Sequence, residues 1–175
     1  MADAPARSIG FAPEVTPETR VLILGSLPGV ASLAAGQYYA HPRNAFWPVM
    51  GQLVGVDLPS MPYSERVAAL KAKGFGLWDV LASAERSGSL DAAIRSPEAA
   101  DLVGLVSGLP QLHTVAFNGA AAAKIGRRIL KDLPERTRLV DLPSSSPAHA
   151  RPLAEKSAAW RAALFGSQDV GTTGG

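Results

Sequence analysis

Val21-Leu22-Ile23-Leu24, an unbroken apolar run that stops at Gly25-Ser26-Leu27-Pro28-Gly29, is the stretch on which the fold turns. A run this short and uniformly apolar predicts a strand covered on both faces, and the Gly- and Pro-rich segment after it predicts a tight loop at the strand's carboxyl end. Leu112 to Phe117 has the same form and ends at Asn118-Gly119; Thr137 to Leu142 does too and ends at Pro143-Ser144-Ser145-Ser146-Pro147. Phe75 to Leu81, accompanied by Gly74 and Gly76, is a weaker fourth run. Helical patterning fills the intervals: about Asn44 to Val54, with Pro48 in the first turn where its missing N–H does no harm, Ser64 to Lys73, Pro97 to Ser107, Ala120 to Lys131, and Pro152 to about Phe165. Strands alternating with helices predict an α/β fold, a doubly wound parallel sheet of about four strands flanked by helices on both faces.

The chain has 175 residues, of which 47% are hydrophobic and 18% charged, enough for a single domain with a sizeable core. That domain is expected at 20–166, between an N-terminal extension at 1–19 and a flexible tail at 167–175. With no cysteine, a disulfide scaffold, an iron–sulfur cluster, a thiol nucleophile and a cysteine-ligated zinc site are excluded. The histidines lack zincin spacing, so no metal site is expected. MADAPARSIGF has no apolar signal core and no run is long enough to span a bilayer, which reads as a cytoplasmic protein with no membrane partner. A net charge of +2 is compatible with a polyanionic partner. Lys124, Arg127, Arg128 and Lys131 share part of one helical surface, which reads first as a solvated face.

Sheets of this kind bind ligands beyond the carboxyl ends of their strands. The site is therefore expected among the loops after Leu24, Trp78, Phe117 and Leu142. In the first, Gly25 and Ser26 offer bare backbone to a ligand or simply make a turn. Tyr38-Tyr39-Ala40-His41-Pro42-Arg43-Asn44-Ala45-Phe46-Trp47 concentrates aromatics in a chain that is only 6% aromatic. Phe46 and Trp47 read as core. Tyr39 and Asn44 suit either loop cover and a helix cap, or stacking on and orienting a planar ligand. Asp79 is a carboxylate in an apolar setting, either capping a neighbouring loop or facing the cleft in need of a donor. Asn118 reads as a helix cap or as part of the cleft. Ser144, Ser145, Ser146, Pro147 and His149 form a rigid hydroxyl-rich loop whose amides and hydroxyls suit phosphates.

Taken in order, GSLPG, YYAHPRNAFW, GFGLWDVL, FNG and LPSSSPAHA resemble the uracil-DNA glycosylase superfamily, most closely its hypoxanthine-DNA glycosylase branch, from about Val21 to His149. The resemblance implies a monofunctional DNA glycosylase without metal or organic cofactor, a monomer with one open face for DNA containing a deaminated base. The best-known uracil enzymes of the superfamily carry a water-positioning Asp or Asn and a methyl-blocking Tyr in the first motif, and a His opening the last. Leu27, Gly29 and Leu142 stand there in this chain. The resemblance to the hypoxanthine branch therefore makes Asn44 the candidate for holding water. Gly25, Ser26, Tyr39, Asp79 and Asn118 are the candidates for holding the base, and Ser144, Ser145, Ser146, Pro147 and His149 for gripping DNA. A lesion- or abasic-site-binding module with little turnover is the alternative that the departures keep open.

Overall fold

The computed structural model describes residues 6–166. In chain order it contains β1 (Arg7–Ile9), β2 (Val21–Gly25), α1 (Val30–Ala35), α2 (Phe46–Val54), α3 (Tyr63–Ala72), β3 (Phe75–Asp79), β4 (Leu81–Arg86), β5 (Ile94–Ala99), α4 (Leu102–Ser107), β6 (Thr114–Asn118), α5 (Ala120–Ile129), β7 (Arg138–Leu142) and α6 (Leu153–Phe165). A four-stranded parallel sheet has the order β3-β2-β6-β7. It is the sheet expected from the apolar runs. The expected tail at 167–175 lies outside the described residues.

The uniform apolarity of β2 follows from its place inside the sheet. Side chains alternate across a strand, so Val21 and Ile23 join one core with Phe46, Met50, Leu70 and Trp160, while Leu22 and Leu24 join another with Leu102, Phe117, Ala122 and Leu130. Helices α2, α3 and α6 cover the first face; α4 and α5 cover the second. Pro48 sits at the third position of α2, within the first turn, and the helix ends where Gly55 turns left-handed and donates to Gly51 O. Among the described residues no helix is long and apolar enough to cross a membrane.

Two expectations are corrected. Residues 97–107 are not one helix: Ile94–Ala99 form β5, and α4 begins only after Asp101, whose carboxylate accepts from Gly104 N at 3.0 Å. Pro97 is tolerated because β5 is the edge of a second sheet, order β1-β4-β5, where a missing N–H breaks no inner ladder. Phe75 to Leu81 is likewise not one strand. It leaves the parallel sheet after Asp79, and β4 then pairs antiparallel with β1 and β5. The N-terminal segment thus supplies an edge strand, and the chain breaks direction at the one carboxylate of the fourth run.

Candidate active site

The carboxyl ends of the four parallel strands open onto a cavity of about 710 Å³. Gly25 and Asp79 are register partners at the ends of β2 and β3, and Asn118 and Leu142 are partners at the ends of β6 and β7. Gly25, Ser26, Tyr39, Asn44, Asp79 and Asn118 all line the cavity, as do Ser144, Ser145, Ser146, Pro147 and His149. Strand-end topology therefore brings together every residue named from the sequence as a candidate for holding water, base or DNA.

Asp79 is 4% exposed, and its Oδ2 has no hydrogen-bond partner among the described residues. A loop cap would show one, so the cleft-facing alternative describes what is seen. Burial pushes the carboxyl up to about 7; the Arg86 charge opposes the rise and Asp91 adds to it. Gly25 makes the arrangement possible, since a Cβ there would lie 2.6 Å from Asp79 Oδ1 and 3.2 Å from the Tyr39 hydroxyl.

Tyr39 occupies the left-handed region at φ 55°, a strained position for a bulky residue. Its ring stacks on Phe46 with centroids 4.0 Å apart and planes 22° apart, and Phe46 itself is fully buried. One face of Tyr39 is therefore already covered. Among the described residues its hydroxyl has no partner in hydrogen-bond geometry, and burial together with the Asp79 charge holds the phenol protonated far above its usual range, against an opposing interaction with the Asn118 side chain. Over Gly25 the cavity thus presents an unpartnered carboxyl and an unpartnered hydroxyl side by side.

Asn44 precedes α2 by two residues, and its Oδ1 accepts from Phe46 N at 3.0 Å. That contact fixes the amide's orientation and leaves Nδ2 free to donate, on a residue that lines both the cavity and the hollow beside it. Nearby, His41 Nδ1 accepts from Arg43 N at 3.0 Å, which puts the neutral ring's proton on Nε2. Leu27 and Leu142 are 6% and 3% exposed and belong to the two cores, so neither can hold water.

The serine loop is tied to itself. Asn118 Nδ2 donates to Ser145 Oγ and Ser145 N donates to Asn118 Oδ1, both at 2.9 Å. Ser146 N donates to Ser144 Oγ, Ala148 N to Ser146 Oγ, and His149 N to Ser146 O. The expected amide cradle for phosphates is therefore narrowed: the N–H groups of Ser145, Ser146, Ala148 and His149 are engaged by Asn118 and by Ser144 and Ser146 of the loop itself. Ser145, 1% exposed, acts as its anchor rather than as a surface group. Hydroxyl protons of Ser144 and Ser146 remain available, and among the described residues His149 Nε2 is buried without a partner. Beneath, Lys156 is 3% exposed and donates to Ser146 O at 3.3 Å. A second hollow of about 610 Å³ shares Arg43, Asn44, Pro147 and His149 with the first and adds Arg151 and Lys156.

Sequence reading missed Ser89 and Asp91, which line the cavity from the connection between β4 and β5, and Arg86 at the end of β4, which supports them from behind. Arg86, its side chain 1% exposed, donates through Nη2 to the carbonyls of Leu27 and Pro28, and its Nη1 lies 3.5 Å from Asp91 Oδ1. That carboxylate oxygen also accepts from Ser26 Oγ at 2.5 Å. The available signal was the turn punctuation Ser87-Gly88-Ser89 after an arginine. Among the described residues no cluster of three or more His, Cys, Asp or Glu is placed to hold a metal ion.

The sequence profile of the uracil DNA glycosylase superfamily matches residues 12–164. The chain is 39% identical over 155 residues to a hypoxanthine DNA glycosylase of Methanosarcina barkeri, covering 89% of this chain and 96% of that one. It is 37% identical over 153 residues to a hypoxanthine DNA glycosylase of Methanosarcina acetivorans, covering 87% and 95% respectively. The solution NMR structure of a Methanosarcina acetivorans protein assigned to the uracil DNA glycosylases superposes with a TM-score of 0.80 at 35% identity, over 92% of this chain and 98% of that one. Profile, relatives and fold agree along nearly the whole described chain, and they span both the sheet and the cavity at its strand ends. The chain belongs to the uracil DNA glycosylase superfamily, in its hypoxanthine DNA glycosylase branch.

Proposed function

We propose that this protein is a monofunctional DNA glycosylase that hydrolyses the N-glycosidic bond of a deaminated base, hypoxanthine first and uracil second, as a step in base excision repair. The observation that carries the reading is the pair formed by Asp79 and Tyr39 over Gly25. Hypoxanthine and uracil each present a ring N–H beside a carbonyl, and an ionised Asp79 accepts from the N–H while the Tyr39 hydroxyl donates to the carbonyl. Adenine and cytosine present an acceptor nitrogen at that place, which leaves the buried carboxylate facing a lone pair at a cost of about 1–3 kcal/mol or more.

The target base reaches such a site only by leaving the helix, at a cost of a few kcal/mol. A cavity of about 710 Å³ is within the range that encloses a small ligand. Water held by Asn44 attacks C1′, the C1′–N bond breaks with its electron pair passing to the base, which leaves as its anion, and the proton lost by the water passes to solvent, from which the freed base is protonated. No protein nucleophile is used. Stabilising the departing base and placing one water supply most of the acceleration. DNA flanking the flipped nucleotide lies along the second hollow, with Arg43 and Arg151 toward phosphates; the protein acts as a monomer.

End-labelled oligonucleotides carrying one hypoxanthine, one uracil, or thymine opposite guanine test this directly. With excess protein, the expected result is strand cleavage only after alkali, fastest at hypoxanthine. Saturated binding with no cleavage on any strand would instead identify a lesion-binding module, the outcome that Leu27, Gly29 and Leu142 make worth testing.

A further inference from the structure

The Ser144–His149 loop on one side of the cavity carries serines, Pro147, Ala148 and His149, but no large apolar side chain. Proteins that unstack DNA commonly press an apolar residue between bases. The opposite rim offers one. Leu90 lines the cavity mouth and is 60% exposed; Val30, whose backbone N donates to Ser89 Oγ at 2.8 Å, is 56% exposed. Single exposed apolar residues need no explanation, so their support is the telling feature.

The backbone on both sides of Leu90 is held. On its N-terminal side Arg86 grips the carbonyls of Leu27 and Pro28, and Ser89 closes on Val30. A Cβ on Gly29 would meet Ser89 Oγ at 3.0 Å, so glycine permits the two loops to touch. On the C-terminal side Asp91 holds Ser26 and Arg86, and Ala93 N donates to Leu90 O at 3.1 Å. The result is an anchored tip with its apolar side chain in water, beside a site that must separate stacked bases. Anchoring matters because a yielding tip would rearrange instead of parting the stack.

We propose that Leu90 is the apolar wedge that this protein presses into the base stack next to the extruded nucleotide. This inference rests on the base-excision reading. A wedge is needed in a duplex and dispensable in a single strand, and that difference supplies the test. Single-turnover excision of hypoxanthine is measured on one sequence in both forms, with wild type, Leu90→Ala and Leu90→Met, and thermal melting confirms that each variant folds. The expected result is that Leu90→Ala slows excision from duplex by about tenfold or more, while the single-strand rate stays within about twofold and Leu90→Met restores duplex activity. Equal rates on duplex for Leu90→Ala and wild type would overturn the proposal, as would equal losses on both substrates. A 2-aminopurine placed beside the hypoxanthine gives a second readout, its fluorescence rising on binding when the stack is parted. If wild type excises nothing, the base-excision reading fails, and a fluorescence rise that Leu90→Ala abolishes would still support the wedge.

Discussion

Asp79 carries a conflict that its surroundings leave standing. Its neighbours supply no hydrogen bond to Oδ2, and burial raises its carboxyl to about 7. The unfolded chain ionises this group near pH 4, so the folded state is favoured below that value and loses the advantage as pH rises from about 4 through 7. Asp79→Asn, which cannot ionise, is therefore expected to gain stability relative to wild type at pH 8, on the order of a few kcal/mol, with little difference at pH 4. Urea unfolding at the two pH values measures it, and a difference independent of pH would show that Asp79 is not the titrating group. Much of this residue-level picture was legible in advance: a carboxylate among Trp78, Val80 and Leu81 announces itself. Tyr39 was legible as a cleft residue, but the covering of one of its faces by Phe46 depends on a left-handed backbone that no residue pattern announces.

At the scale of elements, Asn118 at the end of β6 makes both of its side-chain hydrogen bonds to the serine loop, which Lys156 and Trp160 also hold through backbone carbonyls. Both Asn118 bonds to Ser145 are buried, and removing the amide strands the Ser145 N–H. Asn118→Ala is expected to cost about 2 kcal/mol of stability and to lower excision from duplex DNA as the loop loosens. Chemical denaturation and single-turnover rates check the two parts. The four parallel strands were readable because burial on both faces writes a continuous apolar run. The second sheet was not, because β1 and β5 are mostly exposed and follow no apolar alternation, and Pro97-Glu98 imitates a helix start. Asp101 was the true cap. Since the connection between β4 and β5 delivers Ser89 and Asp91 to the cavity, with Arg86 behind them, the same exposure that hid the second sheet also hid part of the cavity wall.

For the molecule as a whole, a modest net charge of +2 conceals a local concentration: Arg43, Arg151 and Lys156 line the hollow that joins the cavity. Neutralised phosphates release counterions, so DNA affinity is expected to fall steeply with salt, with a slope of about −0.9 per phosphate contact in duplex DNA. Arg151→Gln should reduce that slope by about 1 without changing which base is excised, as fluorescence anisotropy across a salt series would show. Base choice belongs to the other end of the site, where Asp79 meets the ring N–H. The most direct test of that claim is the single-turnover rate of hypoxanthine release from pH 5.5 to 9, with adenine in the same sequence as competitor, for wild type and Asp79→Asn. The account predicts a wild-type rate that rises through about pH 7 as the carboxyl ionises, and a variant that is slower, nearly flat with pH and less able to reject adenine. An Asp79→Asn protein with the wild-type pH profile and an unchanged preference for hypoxanthine would contradict it.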